Sequence, residues 1–365
     1  MHATDTLAEA DRLMTVCNSC RYCEGLCAVF PAMEARRSFL DGDLNYLANL
    51  CHGCGACYYD CQFSPPHEFN VNVPKVLAEV RAESYAAYAW PPAAAGLFRH
   101  NGPVIAGSAA LSIALFLLGF VGWSDPAALW TSGAGAGAFY RLMPHSAMAA
   151  LFGAAFLYAI LALALGVRRF WSDIGDANEP MPDAVSIWQA VKDAGRLRYL
   201  DGGGAGCMNE DDRPADGRRH AHHMVFYGFL LCFASTSVAT LYHYVGREAP
   251  YAWYDLPVLL GTLGGLGLVG GTAGLYRAKR TRDPAVLDAK RFGMDVAFLA
   301  MLFLTGLSGL ALLVLRDTAA MGILLALHLG IVFSLFITMP YGKFVHGIYR
   351  FVALVRYAWE QQEHR

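Results

Sequence analysis

The 365-residue sequence is poor in charge, because Asp, Glu, Lys and Arg make up 16% of it, against about 25% in an average soluble protein. Its formal net charge is only −2, so no nucleic acid or other polyelectrolyte is indicated as a partner. An apolar segment near the start is also lacking, since residues 1–16 are polar and amphipathic. We therefore expect no secretory signal and an N-terminus that stays in the cytoplasm.

The sequence also lacks a nucleotide-binding loop. Gly265, Gly267 and Gly270 spell G-x-G-x-x-G, but they lie in an apolar run, follow no strand and have no acidic residue about 20 positions later. We interpret them as small residues that let two membrane helices pack closely. Any flavin or nicotinamide site is then expected on another chain, and no substrate dehydrogenase site is predicted here.

Eight of the ten cysteines form the pattern C-x2-C-x2-C-x3-C twice, in CNSCRYCEGLC and CHGCGACYYDC. This is the ligand run of a two-cluster ferredoxin, in which three thiolates bind one cluster and the fourth reaches across to the other. The sequence therefore predicts two [4Fe–4S] clusters. The first is assigned to Cys17, Cys20, Cys23 and Cys61, and the second to Cys27, Cys51, Cys54 and Cys57.

Zinc and disulfides are the alternatives for these cysteines. Zinc sites also use C-x2-C pairs, but they need four ligands each and have no use for a triplet with a distant fourth residue. Disulfides are disfavoured because triplets this tight pair badly and no signal for secretion precedes them. Cys207 and Cys232 lack ligand spacing. The unusual loop GGGAGCMNEDDRPADGRRHAHH is expected to dock the cluster domain or a partner.

Long apolar runs dominate the rest of the chain. A bilayer core of about 30 Å needs about 20 apolar residues in a helix. Six runs qualify, and they contain no Lys, Arg, Asp or Glu except Asp295 at one edge. The predicted spans are 103–123, 145–167, 222–245, 256–276, 294–315 and 319–339. We predict an all-α protein with a helical dicluster ferredoxin domain at 1–85, an interfacial linker at 86–102 and a six-helix membrane domain at 103–365.

Basic residues fix the expected orientation. With the N-terminus inside, the segments 168–221, 277–293 and the tail from residue 341 are cytoplasmic and hold eight, six and four Lys or Arg. The three outer loops hold one each. This positive-inside bias predicts a multi-pass protein of the bacterial cytoplasmic membrane with both termini in the cytoplasm.

Histidines are the remaining polar candidates in the membrane, where such groups are costly and usually functional. His328 and His346 are 18 residues apart, five helical turns, and so share a face if the helix is continuous. The third span carries His222, His223 and His243. In antiparallel spans, His222 or His223 meets His346 at the inner side and His243 meets His328 nearer the outer side.

These two pairs predict two b-type haems, each held by two histidines and carrying one electron at a time. Helix phase favours His222 over His223 as the inner ligand. Interfacial or hydrogen-bonded histidines are the alternative, and a single haem with two spare histidines is an intermediate case. For His145, which has no predicted partner, the hydrogen-bonded interpretation is preferred.

Several stretches resemble a known family. The doubled cysteine motif, the GGGAGC loop, RRHAHHMVFYGFLLCFASTSVATLYHY and HLGIVFSLFITMPYGKFVH are similar to the tricarballylate/citrate utilisation protein B family over nearly the whole chain. The same organisation resembles the C-terminal half of a flavin–haem–iron-sulfur protein of aerobic cobalamin synthesis. The cluster domain resembles helical dicluster domains of fumarate and heterodisulfide reductases. The last span resembles the dihaem gamma subunit of respiratory nitrate reductase.

The family resemblance implies an electron-transfer subunit that reoxidises an FAD-containing dehydrogenase and reduces the quinone pool within the lipid membrane. The partner's substrate, for example tricarballylate, is not readable from this chain. Two alternatives stay open: a subunit of a quinone-linked respiratory reductase, and a membrane iron–sulfur redox sensor or assembly factor.

Overall fold

The computed structural model describes residues 2–123, 126–130, 135, 137–175, 181–209, 213–288 and 292–363. Met1, residues 176–180 and 210–212 of the predicted inner loop, and residues 364–365 of the predicted membrane domain lie outside the described residues. Across the described ranges the regular structure is helical apart from one two-stranded sheet, formed by Cys207–Met208 (β1) and Pro214–Ala215 (β2). The prediction of an all-α fold is confirmed.

The N-terminal region consists of five helices around the cysteine runs. They are α1 (Asp5–Cys20), α2 (Val29–Glu34), α3 (Asp41–Leu50), α4 (Ala56–Tyr59) and α5 (Val73–Ala87). Helix α1 begins after Thr4, whose side chain accepts a hydrogen bond from the Leu7 N–H, and Asn72 caps α5 in the same way. Helices α2 and α3 fill the spacer between the two cysteine runs, in agreement with the predicted helical dicluster domain.

The remaining helices carry the apolar runs. They are α6 (Asn101–Trp123), α7 (Ala138–Leu142), α8 (His145–Ile174), α9 (Ala184–Gly195), α10 (Gly217–Tyr244), α11 (Leu256–Arg280), α12 (Phe292–Leu315), α13 (Met321–Thr338) and α14 (Val345–Glu363). Six of them, α6, α8 and α10 to α13, are long and apolar enough to cross a membrane. They coincide with the six predicted spans, although α8 and α10 both extend further into the predicted inner loop.

The last span does not continue as one helix to His346. Helix α13 ends at Thr338, and a 3-10 turn over Met339–Tyr341 and an extended Gly342 follow before α14 begins. Pro340, inside that turn, has no N–H to donate and its ring opposes a continuous α-helix. The expectation that His328 and His346 share one helix face is therefore wrong, because the two residues lie on different helices.

Helices α10 and α11 approach each other through glycine. A Cβ at Gly228 would lie 2.9 Å from the carbonyl oxygen of Gly264 and 2.9 Å from the Leu268 backbone nitrogen, so no side chain fits there. A Cβ at Gly267 would lie 2.9 Å from the Met224 carbonyl oxygen. The interpretation of the G-x-G-x-x-G stretch as close helix packing is thus confirmed.

Replacing Gly228 by alanine is expected to destabilise the protein by about 1–3 kcal/mol, because the added methyl forces two backbones apart. Thermal unfolding of the detergent-purified chain measures the effect. Gly119→Ala on α6, where an added Cβ has no neighbour within 4 Å, is the matched control and should leave the unfolding temperature nearly unchanged. Equal unfolding temperatures for the two variants would contradict the tight crossing.

The cysteine region and the inner ends of the membrane helices share one hydrophobic core, in which Tyr85 of α5, Phe170 of α8 and Tyr349 of α14 are buried. Helix α3 crosses the end of α8 so closely that a Cβ at Gly42 would collide with the carbonyl oxygen of Asp173. The Asp173 carboxylate also accepts hydrogen bonds from Asn45 and Tyr88. These contacts hold the cysteine region against the membrane helices.

A buried ion-pair network adds to this connection from the C-terminal helix. Glu360 of α14 accepts from Arg36 at 2.7 Å, from Arg356 at 2.8 Å and from the Tyr46 hydroxyl at 3.0 Å. Arg36 also pairs with Asp43 at 2.6 Å. The sequence predicted this segment only as a cytoplasmic tail. In the structure its helix α14 is bound to the cysteine region through Glu360.

Candidate functional site

The first cysteine site is formed by residues of both cysteine runs. Helix α1 supplies Cys17 and Cys20, the turn after it supplies Cys23, and Cys61 follows α4. All four line one small cavity together with Phe30 and Phe63. The structure thus brings together the four residues that the sequence assigned to the first cluster.

The second cysteine site lies between α2, α4 and α5. Cys27, Cys51, Cys54 and Cys57 line a separate small cavity, which again contains the four residues of the predicted second quartet. Gly53 and Gly55 adopt positive φ values of 58° and 92°, which lets the chain turn sharply between these ligands. The Gly53 N–H also donates to the Cys51 sulfur at 3.3 Å.

These sites suit clusters better than single metal ions. In the part of the chain that the structure describes, no group of three His, Cys, Asp or Glu side chains is close enough to hold one ion. Thiolates that bind a cubane attach to different iron atoms and need not converge on one point. Burial raises the pKa of the Cys17 and Cys23 thiols to about 12 and that of Cys54 to about 11. Cationic iron would favour their thiolate forms, and four thiolates are the ligand set of a [4Fe–4S] cluster.

The glycine-rich loop covers the second cysteine site, as its unusual sequence led us to expect. The Met208 N–H donates to the Cys54 carbonyl oxygen at 3.0 Å, and a Cβ at Gly203 would lie 3.0 Å from Leu26. Cys207 is buried, and its thiol donates weakly to the Leu200 carbonyl oxygen at 3.6 Å. This loop shields the second site from solvent.

His222 and His346 meet at the inner end of the membrane helices, as predicted. Their ring centroids are 6.0 Å apart. Because a metal–imidazole nitrogen bond is about 2.0 Å long, this separation leaves space for one metal atom between the rings. His346 Nδ1–H donates to the Lys343 carbonyl oxygen at 2.5 Å, which leaves its Nε2 lone pair free. His222 Nδ1 is buried and has no hydrogen-bond partner in the described part of the chain.

His223 points elsewhere, since its ring stacks on Tyr227 of the same helix, with centroids 5.9 Å apart. The structure therefore distinguishes the two neighbouring histidines geometrically. It places His222 beside His346, in agreement with the helix-phase preference, and leaves His223 outside that pair.

The predicted outer pair is not formed. His243 stacks on His145 of α8, with ring centroids 3.5 Å apart and planes 19° apart, which leaves no room for a macrocycle between them. His328 instead shares a hydrogen bond of 2.9 Å with Ser308 and packs against Gly309 of α12. The prediction assumed that His328 and His346 face the same side of one continuous helix. Because that helix ends at Thr338, the position of His346 does not determine which way His328 faces, and the predicted pairing of His328 with His243 fails. The arrangement does not fit a haem held by His243 and His328.

A cavity of about 260 Å³ surrounds the inner histidine pair. Its lining is apolar along the long apolar helices and basic next to the cysteine region. The apolar lining includes Val225, Phe226, Phe298, Leu299 and Leu302, and the basic lining includes Arg81, Arg218, Arg282 and Arg350. Such an amphipathic cavity with two imidazoles fits a haem, whose ring is apolar and whose two carboxylates are anionic.

The three sites form a series through shared residues. Phe30 lines both cysteine cavities. His52 and Gly53 line both the second cysteine cavity and the histidine cavity. His52 is buried, and burial together with the charge of Arg350 lowers its pKa well below the ordinary value, so that the imidazole is neutral. The second cysteine site therefore lies between the first site and the histidine pair.

Sequence reasoning missed the four arginines of this cavity. It counted Arg218, Arg282 and Arg350 only as part of the bias of basic residues toward the cytoplasmic side, and it did not consider Arg81. Their separation along the chain, from Arg81 to Arg350, gave no signal that they converge. The single usable hint was that Arg218 lies four residues before His222 and Arg350 four after His346, one helical turn away in each case.

Comparison with known proteins agrees with this architecture. A family model described as Citrate utilization protein B matches residues 101–365, and one described as Citrate utilization protein B Fer4-like domain matches residues 10–87. Citrate utilization protein B of Escherichia coli is 50% identical over 361 residues, covering 98% of this chain and 94% of that protein. No solved structure matches the chain significantly.

Proposed function

The chain belongs to the citrate utilization protein B family, and we propose that it is a membrane electron-transfer subunit. In this proposal it reoxidises an FAD-containing dehydrogenase and delivers the electrons to the quinone pool through two [4Fe–4S] clusters and a b-type haem. The observation that carries the proposal is the series of two cysteine quartets and one histidine pair joined by shared lining residues.

The residues have separate tasks in this function. Cys17, Cys20, Cys23 and Cys61 would hold one cluster, and Cys27, Cys51, Cys54 and Cys57 the other. His222 and His346 would be the axial ligands of the haem. Such clusters and haems, when bound, accept and release single electrons. The apolar lining of the histidine cavity excludes water, and the loop over Cys54 excludes it from the second cluster.

The geometry also suggests the order of the sites. The first cysteine site lies beside the exposed turn Arg21–Gly25, whereas the second is covered by the glycine-rich loop and adjoins the histidine cavity. A soluble partner can therefore approach the first site more easily than the second. We infer the order partner, Cys17 quartet, Cys51 quartet, inner histidine pair, and then quinone.

The exposed surface of the first site is a candidate for the partner contact. Tyr22, between the ligands Cys20 and Cys23, is 74% exposed, and Phe69 on the same side is 43% exposed. Exposed aromatic side chains are enriched where proteins bind each other. A flavoprotein bound here would place its cofactor nearest the first cluster.

Replacing Tyr22 by aspartate is expected to raise the KM for the partner dehydrogenase about tenfold, or about 1.4 kcal/mol, without changing kcat. The measurement is steady-state quinone reduction with increasing partner concentration. Tyr254→Asp alters another exposed tyrosine, 81% exposed at the opposite end of the membrane helices, and is expected to behave as wild type. Equal KM values for both variants would place the partner on another surface.

The proposed location is the bacterial cytoplasmic membrane with both termini inside. Support comes from the six apolar helices and from the concentration of Lys and Arg in the segments that flank the cysteine region. This orientation lets a cytoplasmic flavoprotein reach the first cluster. In the same orientation, the quinone would be reduced inside the lipid bilayer.

A further inference from the structure

Four arginines from four separate parts of the chain converge on the loop that carries the second cluster ligands. Arg81 and Arg350 donate to the Cys51 carbonyl oxygen, at 2.6 and 2.8 Å. Arg218 and Arg282 donate to the Gly53 carbonyl oxygen, at 2.8 and 2.5 Å. All four also line the cavity that contains His222 and His346. They stand between the second cysteine site and the histidine pair.

These four guanidinium groups form no ion pair with an Asp or Glu among the described residues, although Asp288 and Asp295 also line the cavity. In the described ranges, none of the four lies within 4.0 Å of an Asp or Glu oxygen. By contrast, Lys279 and Lys343, which line the same cavity, share the Asp295 carboxylate at 2.5 and 2.9 Å. A group of buried cations without counter-ions is unfavourable in a protein interior, so an anion is expected beside them.

Two of the arginines have unused donors inside the protein. Arg282 Nε and Arg350 Nε are buried and have no hydrogen-bond acceptor among the residues that the structure describes. A guanidinium group keeps its positive charge in proteins, so both side chains are cations. The backbone carbonyls occupy only part of their donor capacity, since a guanidinium has five N–H groups.

We infer that Arg282 and Arg350, with Arg218 beside them, bind the two propionate carboxylates of the haem held by His222 and His346. This inference rests on the proposed function for the haem itself. The carboxylates would supply the missing negative charge and accept from the two unused Nε–H donors. Paired guanidinium–carboxylate contacts are among the strongest hydrogen bonds in proteins. The same side chains would connect the haem edge to the carbonyls of Cys51 and Gly53.

The negative charge of the second cluster is the competing source of compensation. A cluster held by four thiolates is anionic, and the arginines contact its loop. The hydrogen bonds of the arginines to that loop end on its carbonyl oxygens, however, and the free Nε donors are on side chains that line the histidine cavity. Haem carboxylates would explain both the buried positive charge and the unused Nε–H donors, whereas the cluster would explain only the charge.

The test compares haem with its dimethyl ester, which has the same ring and metal but no propionate charge. The full chain, produced in haem-deficient cells and purified in detergent with its clusters, is titrated with each compound. Binding is followed by the low-spin absorbance of the bis-histidine haem. Wild type is expected to bind haem at least about tenfold more tightly than the ester. The double variant Arg282→Gln/Arg350→Gln is expected to lose that preference.

The matched control is Arg169→Gln. Arg169 of α8 also donates to a single backbone carbonyl, that of Ala89 at 2.6 Å, but does not line the histidine cavity. It should keep the full preference for haem. If the double variant does not accumulate, Arg282→Gln alone is titrated, and a preference equal to wild type counts against the inference.

The outcomes separate the inference from the function on which it rests. A haem preference unchanged in the double variant, or absent in wild type, overturns the arginine–propionate contact while haem binding by the histidines stands. Wild type that binds neither compound with a bis-histidine spectrum overturns both. A variant that shifts only the cluster's reduction potential assigns the arginines to the cluster and likewise overturns the inference.

Discussion

Replacing Cys54 by serine is expected to reduce substrate-dependent quinone reduction to the level seen without the chain. Cys54 is one of the four cysteines around the second cavity, which lies between the first cysteine site and the histidine pair. A hydroxyl is a poor substitute for a thiolate on iron, so this cluster should be lost or incomplete. The assay combines the partner dehydrogenase, its substrate, the variant and a quinone, and records quinone absorbance.

Two controls locate the defect. The partner mixed with the Cys54→Ser chain should still reduce an artificial dye at the normal rate, because its flavin is untouched. Cys232→Ser changes a partly buried cysteine of α10 that lies in neither cavity, and it should support normal quinone reduction. Loss of dye reduction as well as quinone reduction would count against a relay through the second cluster.

Replacing His346 by alanine is expected to eliminate the low-spin b-type spectrum of the inner haem and, with it, quinone reduction. His346 and His222 are the pair with ring centroids 6.0 Å apart. A haem that loses one of two axial imidazoles loses its bis-histidine spectrum. His222→Ala should have the same effect, and reduced-minus-oxidised absorbance of the purified chain is the measurement.

His223→Ala is the matched control because it removes the adjacent imidazole from the same helix. Its ring stacks on Tyr227 and lies outside the pair, so the spectrum should remain that of wild type. If His223→Ala, and not His222→Ala, eliminated the signal, the assignment of the inner site would be reversed. A normal spectrum in all three variants would remove this histidine pair from the function altogether.

Local sequence patterns were enough to predict several features of this protein. The cysteine quartets follow from spacing, since the doubled motif fixes which thiols are near each other and which must reach across. The six apolar helices follow from length and hydropathy alone. The tight crossing of α10 and α11 follows from glycine in an apolar run. In each case the signal lies within one stretch of about 45 residues or fewer.

The features that sequence reasoning missed depend on relations between distant stretches. The outer histidine pairing failed because it required an unbroken helix from His328 to His346, and the turn at Met339–Tyr341 interrupts that phase. The contact between His145 and His243 depends on how α8 and α10 are rotated about their axes, which hydropathy does not encode. The arginine group arises only when α5, α10, α14 and the turn after α11 come together in the fold.

The measurement that tests the central claim most directly is metal and haem quantification of the purified chain, combined with an optical spectrum and electron paramagnetic resonance after reduction. Two cubanes and an axially ligated haem predict about eight cluster irons per chain, signals of reduced [4Fe–4S] centres and a b-type absorbance. A colourless protein that binds zinc in place of iron and stays colourless after reconstitution would contradict the account at every step.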